Sequence, residues 1–149
     1  MSDKEQINET ADFIKQKFSN EATGHDWWHM YRVWQLAKHI NQTEKGDQLT
    51  VELGALLHDI ADWKFHEDEE AGPKAAREWL ESIDVNNDVI EHIEDIIRNV
   101  SFKGAKVKNN LKTLEGKIIY DADKLDAIGA IGIGRAFAYG GANNRTMFE

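Results

Sequence analysis

At 149 residues, 41% hydrophobic and 30% charged, the chain has the size and composition of one soluble globular domain with a proper core. It contains no cysteine, which excludes disulfides, thiolate metal sites and cysteine nucleophiles, so any metal must be held by nitrogen and oxygen. A net charge of −9 argues against a general nucleic-acid or anionic-membrane surface but leaves room for a small phosphorylated ligand held by local cations. No apolar run approaches the ~20 residues of a membrane span. The polar N-terminus (Met1, Ser2, Asp3, Lys4) is not a secretory signal, so a cytoplasmic location is expected.

One proline and few β-branched runs predict an all-α fold. Residues 3–18 carry Ile7, Ala11, Ile14 and Phe18 at helical spacing. After a break at 19–24, Asp26 is a good N-cap for a second helix to about residue 42. Asp47 or Thr50 opens a third helix, whose run from Val51 to Ala61 is apolar on nearly all sides and therefore predicts a buried helix. Residues 63–72 read as an acidic loop. Pro73 suits the start of a short helix over 74–82, with Ala75, Ala76, Trp79 and Leu80 inward. Asn86 or Asn87 caps a further helix with the stripe Val89, Ile93, Ile96, Ile97 and Val100. Residues 101–110 form a basic polar loop, and a last helical region begins at Lys112. Its small apolar stretch, 127–134, is suited to close helix packing. No linker, repeat or low-complexity stretch interrupts the chain, so residues 1–149 are expected to form a single compact helical domain.

Three features carry chemistry. His29 shares the helix face of Val33, Leu36 and Ile40, spaced 4, 3 and 4, and so points inward; a core histidine satisfied by a carbonyl is the plainer reading. His58 and Asp59 are neighbours about 100° apart on their helix, a histidine–aspartate pair either at the edge of the core or around a shared ion. An ionised carboxylate in so apolar a run needs a neutraliser. Asp121, Asp123 and Asp126 follow Ile118 and Ile119, forming either a solvated acidic face or a set of which at least one approaches the core. The spacing lacks the glycine and distal glutamate of an EF-hand. Taken together, His29, His58, Asp59 and Asp123 are two imidazoles and two carboxylates, a donor set suited to Mn²⁺, Fe²⁺, Co²⁺, Ni²⁺ or Zn²⁺ and less to Mg²⁺.

Four segments, in order, make the chain resemble the HD-domain metal-dependent phosphohydrolases, bacterial stand-alone members in particular: residues 24–33 (Gly24, His25, Asp26 and His29 to Val33), 56–62 (Leu56, Leu57, His58, Asp59 to Asp62), 97–104 (Ile97, Arg98 to Gly104) and 121–130 (Asp121, Asp123, Lys124, Asp126 to Ala130). The resemblance implies an all-α HD-domain bundle, His29, His58, Asp59 and Asp123 as metal ligands, and hydrolysis of a phosphoester or phosphoanhydride, most often in a nucleotide. Two-metal members usually add two histidines between the doublet and the last aspartate. Here only His66 and His92 are available, so one metal is expected. Alarmone hydrolases place a Glu-Asp pair shortly after the doublet; Ile60, Ala61, Asp62 and Trp63 stand here, against that activity. Relatives of this type are commonly longer, which raises the expectation of missing C-terminal helices.

Asp62, one turn beyond Asp59, is the candidate general base or water-orienting group, against a plain surface aspartate. Arg32, Lys64 and Lys103 are the candidate phosphate contacts, against solvated surface roles. Asp126 is a candidate for a sugar hydroxyl or for Lys124, and Arg135 ranks below these. Gly129, Gly132 and Gly134 follow no strand and form no dinucleotide fingerprint. The five tryptophans are read mostly as core, with Trp27 or Trp63 able to stack on a base. His25, His39, His66 and His92 read as surface or supporting groups. The rival to a hydrolase is a non-catalytic sensor that binds metal and nucleotide; a metal-free helical interaction domain is the third reading.

Overall fold

The computed structural model describes residues 1–61, 68–100 and 110–148. The described residues form seven helices and no strand: α1 (Asp3–Lys17), α2 (Trp27–Glu44), α3 (Gln48–Leu57), α4 (Ala71–Ser82), α5 (Asn87–Val100), α6 (Leu114–Leu125) and α7 (Gly129–Ala142). The fold is all-α, and among the described residues no helix is long and apolar enough to cross a membrane.

Side-chain caps start most of these helices where the sequence places them. Ser2 and Glu5 form a reciprocal capping box on α1. Asp26 accepts from His29 N at 2.9 Å, and Asp47 accepts from Thr50 N at 2.8 Å. Asn86 accepts from Asp88 N ahead of α5, and Thr113 caps α6 through Gly116 N. Pro73 lies inside the first turn of α4, where its missing N–H costs no intrahelical bond.

α3 is the centre of the molecule. Every residue from Thr50 to Leu57 is buried, and the helix packs against α1, α2, α5 and α6. Burying a leucine of this kind contributes roughly 1.5–3 kcal/mol. Leu53, Leu56 and Leu57 join Ile14, Met30, Leu80 and Ile93 in one cluster, while Val51 and Ala55 join Val33, Ala37, Ile118, Ile119 and Ala122 in a second. Gly54 sets the distance to α6: a Cβ there would lie 2.6 Å from Ile119 Cδ1. The buried Glu52 is paired with Trp34 Nε1 and Gln48 Nε2, each donating at 2.8 Å. Trp79 stacks on Phe13 with centroids 3.9 Å apart and donates to Thr10, tying α4 to α1.

Three expectations change. The buried run does not stay helical to Ala61: α3 ends at Leu57, and His58 is its C-cap. Ile60 is still buried although the chain has left the helix, so the apolar pattern outlasts the helical one. The last helical region is two helices, α6 and α7, separated at 126–128. The small apolar stretch does not pack closely either: α7 has no buried residue, and Ile128, Ile131, Ile133 and Phe137 are exposed. Trp28, 60% exposed rather than core, stands one position, about 100°, before the buried His29 in the first turn of α2.

Candidate metal centre

The ends of three helices converge. His29 stands in the first turn of α2, His58 and Asp59 at the C-terminal end of α3, and Asp123 in the last turn of α6. His58 Nδ1 donates to the Ala55 carbonyl at 2.8 Å, satisfying one of the orphan carbonyls of the helix end. His29 Nδ1 donates to Asp126 Oδ2 at 2.7 Å. Each ring therefore presents Nε2 as its remaining nitrogen, and both Nε2 atoms are buried with no hydrogen-bond partner among the described residues.

These two atoms face the same carboxylates. Asp59 Oδ2 lies 3.4 Å from both His29 Nε2 and His58 Nε2. Asp123 Oδ1 lies 3.4 Å from His29 Nε2 and 3.6 Å from His58 Nε2. Nitrogen and oxygen atoms this close without bonding geometry are a cluster spaced for a cation between them. His29, His58 and Asp123 form one group of ligand atoms all within 4.8 Å of one another, and His25, His29 and Asp59 form another. Both groups share His29.

The electrostatics make the same point. Burial works against a charged His58 ring, yet Asp59 and Asp123 outweigh it and hold the ring well above its ordinary value. Burial likewise penalises the Asp59 carboxylate, but His58, His25 and His29 hold it well below the usual range; Asp123 is lowered against the same penalty by His58. The pocket demands positive charge. A proton on His58 is one way to supply it; a divalent ion taking both ring lone pairs and both carboxylates is the other, and the donor set fits it.

A model of the HD domain family matches residues 27–128. The chain belongs to the HD-domain family. It is 34% identical to the uncharacterized protein YpgQ of Bacillus subtilis, over 99% of this chain and 73% of that protein. The solved structure of YpgQ in complex with ADP matches with a TM-score of 0.77 at 31% identity, covering 96% of this chain and 72% of YpgQ. An HD-superfamily hydrolase of Bacillus thuringiensis matches with a TM-score of 0.76 at 42% identity, over 99% of this chain and 71% of that one. A Lactobacillus plantarum protein reaches a TM-score of 0.87 at 30% identity, over 100% of this chain and 69% of that one.

Within this HD domain the four expected ligand residues come together. Arg32 and Asp126, expected to meet phosphate and sugar separately, are each other's partners: Arg32 Nε donates to Oδ1 at 2.6 Å and Nη2 to Oδ2 at 3.0 Å. Asp126 is only 4% exposed. Arg135 donates to the backbone carbonyls of Gly24 and Asp126, so it reaches the site's supports. Lys124 pairs with Asp123 rather than Asp126, its Nζ donating to Oδ2 at 3.0 Å. His92 meets Thr113 at the other end of α6 from Asp123, about 15 Å along the axis at ~1.5 Å per residue. Asp62, Lys64, His66 and Lys103 lie outside the described residues.

Two residues that the sequence named only in general terms, His25 as a surface or supporting group and Lys124, take specific places at the site. His25 Nδ1 donates to Asp59 Oδ2 at 3.0 Å. It arrives from the loop before α2, where Gly24 takes a φ of +88°, a conformation that suits glycine. The signal was its position four residues before His29. Lys124 was read only as a possible partner of Asp126.

Proposed function

We propose that the protein is a metal-dependent phosphohydrolase that cleaves a phosphoester or phosphoanhydride bond of a nucleotide or nucleotide-like substrate, water being the nucleophile. The carrying observation is the pair of buried, unpartnered Nε2 atoms on His29 and His58 facing the carboxylates of Asp59 and Asp123. In this reading these four residues hold one divalent ion, residues 1–149 act as one domain, and the two-nitrogen, two-oxygen donor set favours Mn²⁺, Fe²⁺, Co²⁺, Ni²⁺ or Zn²⁺ over Mg²⁺. When bound, such an ion lowers the pKa of water and polarises a phosphoryl oxygen.

The chain's own residues supply the rest. His25 steadies Asp59, and Lys124 steadies Asp123 while placing a cation at the edge of the site. Asp62, three residues beyond Asp59, orients or deprotonates the attacking water, and Lys64 and Lys103 meet phosphate charge. Arg32 keeps N–H donors beyond those bonded to Asp126 and is half-exposed, so it remains a phosphate contact at the rim. The ADP complex of YpgQ supports nucleotides as the first ligand class to test.

The test strips the purified protein of metal, reloads it separately with Mn²⁺, Co²⁺ and Ni²⁺, and assays nucleoside mono-, di- and triphosphates and cyclic or dinucleotide esters. Metal-dependent release of phosphate, pyrophosphate or nucleotide is expected with at least one class. Full metal occupancy with no turnover of any class, or tight nucleotide binding without product, would replace the hydrolase by a sensor.

A further inference from the structure

Asp126 is the feature that the hydrolase reading leaves without a role. It follows α6 as its C-cap, yet its carboxylate is nearly inaccessible. Both oxygens are engaged: Oδ2 accepts from His29 Nδ1 and Arg32 Nη2, and Oδ1 accepts from Arg32 Nε. Arg135 Nη1 lies 3.6 Å from Oδ2 and donates to the Asp126 carbonyl. A carboxylate is an acceptor only, so at 2.7 Å the proton between it and His29 sits on Nδ1. That leaves Nε2 of the same ring to face Asp59 and Asp123, and Nε2 is buried with no hydrogen-bond partner among the described residues.

We propose that Asp126 is a positioning residue that fixes the orientation and tautomer of His29, and that the forked Arg32 bond, with Arg135 behind it, holds Asp126 to that task. The inference rests on His29 being a metal ligand. A ring so held delivers its lone pair without a search over rotamers or tautomers, and removing such outer support typically weakens metal binding by about 10–100-fold. The two arginines balance the buried charge of Asp126 and keep its oxygens directed away from the ion position, so the aspartate does not become a fifth ligand. Two arginines from different helices, α2 and α7, thus act on the site through one carboxylate.

Asp126→Asn is the decisive variant. It keeps the shape but puts an NH₂ against an N–H of either Arg32 or His29, whichever way the amide turns. Competition with a chromogenic chelator for Co²⁺ should show an affinity loss of about 10–100-fold against wild type. Arg32→Lys, which keeps the charge but not the fork, should lose less. Nitrogen-15 NMR of the metal-free wild type, with His29→Ala for assignment, should show a proton on His29 Nδ1 in a strong hydrogen bond. A bare Nδ1 in wild type overturns the proposal, as does a folded Asp126→Asn protein with unchanged Co²⁺ affinity. If that variant does not fold, the wild-type spectrum still decides. If wild type binds no divalent ion, the hydrolase reading fails separately, because the spectrum is read without metal.

Discussion

α3 and α7 are both short, apolar and glycine-containing, and they end in opposite surroundings. α3 is enclosed by four helices and buries all of Thr50 to Leu57; α7 buries nothing and presents Ile131, Ile133 and Phe137 outward. Apolar content alone does not separate them. What does is the packing around each: α1, α2, α5 and α6 close on α3, whereas among the described residues no helix covers α7. α7 reaches the site through a polar side chain, Arg135, on the Gly24 and Asp126 carbonyls. The chemistry of the candidate metal centre is thus anchored in the most enclosed part of the molecule and braced from the least enclosed.

This contrast can be broken in several ways. The largest effect is expected at the ion position. Asp59→Ala should reduce metal binding and turnover to background, whereas Phe137→Ser on α7 should leave both near wild type; chelator competition and the phosphatase assay measure this. Next comes the core. Leu56→Ala should cost ~2–5 kcal/mol, read as a lowered urea midpoint.

The pH dependence is smaller and follows from His58. Its folded pKa is raised well above the ordinary 6.5, so its contribution to metal-free stability is complete below that value and lost as pH rises through the folded pKa. Asp123 has the opposite sign: its folded pKa is lowered from 3.8, so its contribution is present above 3.8 and lost as pH falls through the folded value. An ion must displace the His58 proton, so metal affinity rises with pH until the folded pKa is passed. Thermal melts of metal-free and metal-loaded protein should diverge as pH increases above 6.5; a constant gap would refute this. The smallest effect is Ile133→Ala, expected within ~0.5 kcal/mol of wild type because the side chain is 62% exposed.

Much of this was legible in the chain. Helix starts were readable where a capping side chain marks them, at Asp26, Asp47 and Asn86, because the cap is a local bond. The clustering of His29, His58, Asp59 and Asp123 was readable because His29 falls on an apolar stripe and the four segments follow a family order. The end of α3 was not, since Ile60 remains buried after the helix stops and burial carries no period. The break between α6 and α7 was hidden by an unbroken run of small apolar residues. His25 and the pairing of Arg32 with Asp126 depend on contacts 34 and 94 residues apart in sequence, which no local pattern encodes.

The bond from His58 to the Ala55 carbonyl has a consequence for how this chain can drift. One ring nitrogen is tied to the last turn of the helix that bears it, and the other faces the site. Inserting one residue between Ala55 and His58 would turn the ring by about 100° and carry it ~1.5 Å along the axis, losing both nitrogens' placement at once. The count of residues from Gly54 to Asp59 therefore cannot change by even one without displacing the ring.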